Sequence, residues 1–120
     1  MNADELQDRL IDFAIKILAL ADSLPNTPAG RHVRTQIIKS GTSPAPNYSE
    51  ARGAESNADF IHKHKIVLKE LNETEVWLQI ILRRKMLKEI KLKFIINENS
   101  ELCKIIASTI KTAKQKKLKS

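Results

Sequence analysis

His62 and His64, with Asp59 three residues before the first, come nearest to a metal-ligand group in this chain. Residues two apart on a helix point about 200° from each other, so both imidazoles cannot reach one ion. Asp59 and His62 share a face but supply two ligands at most, and their spacing reads better as a solvated helix surface. Cys103 is the sole cysteine. Its neighbour Lys104 would favour a thiolate, but its register beside Ile106 and Ile110 makes it a small buried hydrophobe, with no histidine near it in sequence to act as base. Asn47 with Glu50, and Glu55 with Asp59, have the spacing of same-face acid-base pairs. Their structural reading is stronger: Asn47 and Glu50 secure a helix broken by prolines, and carboxylates suit the start of the next helix. There is no Gly-rich phosphate loop, HExxH or CxxC. We therefore expect no catalytic residue, no metal site and no cofactor, and read the chain as non-enzymatic.

The basic residues carry a stronger signal. The net charge is +7, and residues 83 to 119 hold twelve Lys or Arg against Glu89, Glu98 and Glu101, so the rest of the chain is slightly acidic. Such segregation directs a field toward a polyanion. Two clusters stand out: Arg83, Arg84, Lys85, Lys88, Lys91 and Lys93, and then Lys111, Lys114, Lys116, Lys117 and Lys119. At ~1.5 Å per helical residue their centres fall about 35 to 40 Å apart, at opposite ends of a helix. The five aromatics do not alternate with these cations, so contact with phosphates is expected and stacking on bases is not. The alternative is that both clusters are solvated helix ends.

The elements that position these residues are helices. Aromatics are 4% of the chain and glycines number three, so the 42% apolar content is mostly Leu, Ile and Ala. Leu6, Leu10, Phe13, Ile17, Leu20 and Leu24 mark a first helix ending near Leu24 at a Pro25–Pro28 turn. A second begins after Pro28 with Val33, Ile37 and Ile38, and must bend or restart near Gly41–Pro46, with Ser43 as N-cap and Pro44 at the first position. Ser56-Asn57-Ala58-Asp59 caps a third, whose seam is Phe60, His64, Val67, Leu71, Thr74, Leu78 and Leu82. The fourth starts around Lys88 or Glu89, runs to about Lys116, and buries Leu92, Ile95, Leu102, Ile106 and Ile110. Residues 1–120 thus form a single all-α domain, an antiparallel up-down four-helix bundle with a Lys-rich end at about 111–120.

On the third helix Ile66, Val76, Trp77 and Ile80 lie roughly opposite the seam, and Ile11 and Leu18 lie outside it on the first. One core cannot cover both faces, so these residues point to a homo-oligomer. No apolar run is long enough to span a membrane, and the lone cysteine suits a reducing cytoplasm.

The stretch from Ser40 through Ala51, Ser-Gly-Thr-Ser-Pro-Ala-Pro-Asn-Tyr-Ser-Glu-Ala, carries a resemblance together with Glu55-Ser56, Asp59-Phe60, residues 65–73 and residues 110–114. It resembles the bacterial four-helix-bundle family encoded in intervening sequences of large-subunit ribosomal RNA genes. That family includes the accessory variability determinant proteins of diversity-generating retroelements. The resemblance implies an up-down bundle assembled as a homopentamer, with nucleic acid and a reverse transcriptase or ribonucleoprotein as partners. Combined with the residues, it gives a non-catalytic oligomer that binds nucleic acid, RNA first, through basic helix ends. The alternative is an oligomeric protein-interaction scaffold that does not bind nucleic acid.

Overall fold

Asn2 starts the first helix: its side-chain oxygen accepts the Glu5 amide at 2.8 Å, and α1 (Ala3–Asp22) follows. Asp4 and Glu5 in the first turn suit the positive end of the helix dipole. Leu6, Leu10, Phe13, Ile17 and Leu20 are buried, and Leu24 is buried just past the helix end. The computed structural model describes the backbone of residues 1–119 and the side chains of residues 1–116.

Thr27 caps α2 (Pro28–Thr42), accepting the Gly30 amide at 3.0 Å, and Pro28 takes the first position, where its missing N–H costs nothing. A Cβ on Gly30 would sit 1.9 Å from the Pro25 carbonyl oxygen, so the tight α1–α2 turn requires glycine. Arg34 donates to the Ala21 and Leu24 carbonyls at 3.0 and 2.8 Å, fastening α2 to the end of α1.

The second helix bends rather than restarting on a cap. Ser43 is helical (φ −69°, ψ −35°) and its side chain makes no capping bond, whereas an N-cap needs extended backbone. The expectation that Ser43 caps is thus corrected: α2 passes through it into α3 (Pro44–Arg52). Asn47 donates its backbone N–H to the Ser43 carbonyl at 3.2 Å and its side-chain N–H to the same carbonyl at 2.9 Å and to the Ser43 hydroxyl at 2.7 Å, tying the first turn of α3 to the bend. Gly41 lets this region approach α1, since a Cβ there would meet Cγ1 and Cγ2 of Ile17 at 2.7 Å.

Ser56 caps α4 (Asn57–Arg83) by accepting the Asp59 amide at 3.1 Å. Its buried stripe is Ile61, His64, Val67, Leu71, Thr74, Leu78 and Ile81. The expected seam is right through the middle and one residue out at each end, where Phe60 and Leu82 are only half-buried. A straight helix drifts about 20° per heptad against a seven-residue repeat. The neighbour also changes along α4: Tyr48 of α3 meets His64, whereas Ser40 of α2 meets Thr74.

Lys85 ends α4. It adopts φ 56°, and the Met86 amide reaches back to the Ile81 carbonyl at 3.0 Å while the Lys85 amide reaches Leu82 at 3.1 Å. This is a left-handed helix stop of the kind glycine usually provides. α5 (Glu89–Lys119) then buries Leu92, Ile95, Asn99, Leu102, Ile106, Ile110 and Ala113.

Cross-helix bonds set the directions. Arg52 of α3 pairs with Asp4 at 2.6 Å, Gln7 donates to the Ala45 carbonyl at 3.0 Å, and Asn57 donates to the Ala113 carbonyl at 3.0 Å. One end of the bundle therefore holds the start of α1, α3, the start of α4 and the end of α5. The other holds the α1–α2 and α4–α5 turns. The result is an up-down four-helix bundle of 53 × 21 × 21 Å, all-helical among the described residues, with α2 and α3 as one bent member.

Candidate nucleic-acid interface

Arg83 and Arg84 close α4, Lys85 occupies the left-handed stop, Lys88 precedes α5, and Lys91 and Lys93 lie in its first turns; all six are exposed. The ion pairs among the described residues are Arg9–Glu98, Arg52–Asp4 and Lys63–Asp59, so none engages this group. Glu89 lines one cleft with Lys85, Lys88 and Lys91, and Glu75 lines another groove with Arg83 and Arg84, while Arg31, in the first turn of α2, adds a further exposed cation to the same end.

Lys111, Lys114 and Lys116 are exposed at the far end, as the helix length predicts. Lys117 and Lys119 lie outside the described side chains. The two ends differ electrostatically. Asp4, Glu5, Glu55 and Asp59 belong to the far end with Lys111, Lys114 and Lys116, whereas Arg83, Arg84, Lys85, Lys88 and Lys91 of the α4–α5 tip share their grooves with Glu75 and Glu89 alone among the acidic residues. A field directed at phosphate is therefore stronger at the α4–α5 tip.

The apolar residues expected to face a partner divide. Val76 and Ile80 are 57% and 37% exposed, on a shallow groove that ends at Arg83 and Arg84. Ile66 and Trp77 are half-covered by their own chain. Trp77 lies edge-on to His32, with 5.8 Å between ring centroids, and its buried Nε1 has no hydrogen-bond partner. A second apolar face carries Ile11, Ile15 and Leu18 of α1 with Ile90 and Phe94 of α5. Ile11 and Leu18 were legible as off-seam residues; Ile15, Ile90 and Phe94 were not singled out.

Phe94 corrects the expectation that no aromatic belongs to the basic groups. It follows Lys93, is 60% exposed, and the Lys16 ammonium stands 4.6 Å from its ring centre. The signal was local: an aromatic four residues after Ile90 and three after Lys91, on the face away from Leu92 and Ile95.

The remaining candidates have structural roles. His62 is exposed while His64 is buried, so the helix separates them, and Asp59 pairs with Lys63 at 3.5 Å instead of His62. His64 lies between Phe60, at 4.0 Å, and Tyr48, at 5.6 Å, with Nδ1 2.8 Å from the Phe60 carbonyl. Burial lowers its pKa, partly opposed by that hydrogen bond. Cys103 is half-buried, its thiol donating to Asn72 Oδ1 at 3.6 Å, and burial reinforced by the Glu75 charge raises its pKa, away from nucleophilic use. Asn99, which no apolar spacing marks, is fully buried; it donates to the Leu71 carbonyl at 3.0 Å, and its Oδ1 has no partner.

The model of the family described as 23S rRNA-intervening sequence protein matches residues 5–108. A solved structure from Bacteroides thetaiotaomicron VPI-5482, described as a protein with unknown function from the S23 ribosomal protein family, is similar at 38% identity with a TM-score of 0.85. The likeness covers 92% of this chain and 99% of that one. No curated protein matches. With the sequence match running through all four members of the bundle and the solved fold superposing on nearly the whole chain, the protein belongs to the 23S rRNA-intervening sequence protein family.

Proposed function

We propose that this protein is a non-catalytic, oligomeric nucleic-acid-binding protein of the cytoplasm that holds RNA or a ribonucleoprotein by its phosphates. The observation carrying this reading is the α4–α5 tip, where Arg83, Arg84, Lys85, Lys88, Lys91 and Lys93 are exposed and free of ion pairs among the described residues. Gathering like charges at one end destabilises the free fold, and a polyanion relieves that repulsion while releasing its counterions. Lys111, Lys114 and Lys116 form a second, weaker patch. Membership in a family named for ribosomal RNA intervening sequences is in keeping with an RNA partner.

Self-association through Val76 and Ile80, flanked by Ile66 and Trp77, would bring several tips together and turn weak phosphate contacts into useful affinity. A homopentamer, and a reverse transcriptase as partner, belong to this reading through the family resemblance. The test is titration of a structured RNA at several salt concentrations. The affinity should fall steeply, with a log–log slope of roughly −0.7 to −0.9 per phosphate contacted, and R83E/R84E/K88E should weaken it strongly. Exposed Val76 and Ile80 equally suit a protein-binding scaffold, and absence of RNA binding at low salt would favour that second reading.

A further inference from the structure

Phe94, Lys16 and Lys91 stand together where α1 and α5 meet near the basic tip. They line a groove of about 360 Å³ together with Ala19, Leu20 and Ile95. The volume falls within the range of small-ligand sites, ~300–1,000 Å³. The Lys16 ammonium stands 4.6 Å from the centre of the Phe94 ring, and Phe94 is 60% exposed, so much of its surface meets solvent.

We propose that this groove takes one unpaired nucleotide of a single-stranded segment, its base stacked on the exposed Phe94 ring and its phosphates held by Lys16 and Lys91. This rests on the phosphate-binding reading above and adds a contact that recognises the base. Three observations select the occupant. An aromatic side chain standing in water beside cations provides a planar apolar surface and positive charge together, and a nucleotide is both planar and anionic. Lys16 is close enough to polarise the ring and, on the same flexible stem, to turn to a phosphate. The groove is also continuous with the tip, since Lys91 lines both it and the cleft containing Lys85 and Lys88. A strand lying over the tip phosphate by phosphate would reach Phe94 without a break. Paired bases are stacked on their own neighbours and cannot offer a face, so the site selects single strands or loops.

The test uses the full chain at low salt with three RNA probes of equal length: a single strand, the same backbone with abasic positions, and a duplex. The wild-type protein should bind the single strand about tenfold more tightly than the abasic one, as expected where one base–aromatic stack is worth ~1–3 kcal/mol. Phe94→Leu keeps apolar bulk but removes the ring. It should abolish that difference while leaving abasic and duplex binding unchanged, and Phe94→Tyr should restore it. Equal affinity of the wild type for single and abasic strands overturns the stacking site alone. So does a Phe94→Leu variant that binds like the wild type, or one whose sedimentation shows that the free assembly has changed. Failure to bind any of the three overturns the phosphate reading and this one together.

Discussion

Arg9 of α1 grips Glu98 of α5 with two nearly parallel hydrogen bonds, Nε to Oε2 at 2.8 Å and a terminal nitrogen to Oε1 at 2.6 Å. Both side chains are mostly shielded, at 29% and 15% exposed. The bond holds Glu98 below and Arg9 above its ordinary pKa. The α1–α5 seam is the one that opens into the Phe94 groove, so this pair fixes the two helices that build it. Arg9→Met should cost roughly 1.5–3 kcal/mol in urea unfolding, the range for hydrogen bonds to charged groups. The pH dependence follows from the sign of the Glu98 shift. A carboxylate depressed in the folded state contributes stability above its unfolded pKa and loses it as pH falls through the folded value. Acid melts below about pH 4.5 should therefore be steeper for the wild type than for Glu98→Gln.

Lys85 holds a left-handed backbone, φ 56°, in which a side chain costs roughly 1–2 kcal/mol relative to glycine. Lys85→Gly should raise stability by about 1 kcal/mol, read as a higher urea midpoint with unchanged slope. A β-branched residue, Lys85→Val, should lower it. The same glycine variant removes one tip cation, so its RNA affinity should fall modestly while its melting temperature rises, separating the two roles of this residue.

Much of this fold is legible because most helix signals are local. Ser56 caps where a polar residue precedes an apolar stripe, and the 4-3 spacing from Leu6 to Leu20 identifies the α1 core directly. The α4–α5 break was harder to see because lysine, not glycine, takes the positive φ. The Ser43 cap failed for another reason: proline at 44 is compatible both with a new helix and with a bend, and only the neighbouring packing decides between them. Asn99 interrupts an apolar stripe with a polar residue that pattern reading leaves outside, yet it is fully buried against the Leu71 carbonyl.

The site shows a similar division. Exposure of the cations at the α4–α5 turn could be foreseen from their number and place. The different character of the two basic ends could not, because it depends on which carboxylates the bundle brings beside them. Phe94 gains its setting from Lys16, which is distant in sequence and reaches it only across the α1–α5 seam.

Gly41 packs against the stem of Ile17, not the tip of a flexible chain: a Cβ would lie 2.7 Å from both γ carbons and 3.1 Å from the β carbon. Ile17 is fully buried and cannot swing aside. Gly41→Ala should therefore destabilise by about 1–3 kcal/mol despite alanine's better helix propensity. Ile17→Ala alone should cost roughly 2–5 kcal/mol through the cavity it leaves. The double variant should be more stable than the sum of the two losses predicts, because the new methyl occupies part of that cavity. Additive losses in a double-mutant cycle would show that α1 and the bend are not in the contact described.

His64 is 1% exposed between Phe60 and Tyr48, and burial holds its pKa below the ordinary value of 6.5. The unfolded chain takes up a proton near that ordinary value, while the folded chain resists until its own lower pKa is reached. Stability is therefore full above about pH 6.5 and declines as pH falls through the window between the two values, by at most ~1.4 kcal/mol per pH unit from this group. The Phe60 carbonyl that faces Nδ1 belongs to α4, so replacing the imidazole with an apolar ring does not strip that carbonyl of its place in the helix. His64→Phe should keep the fold and flatten the decline in melting temperature between pH 7 and 5. If His64→Phe declines with pH as the wild type does, the proton is taken up elsewhere and His64 is not the residue that sets the acid side of this window.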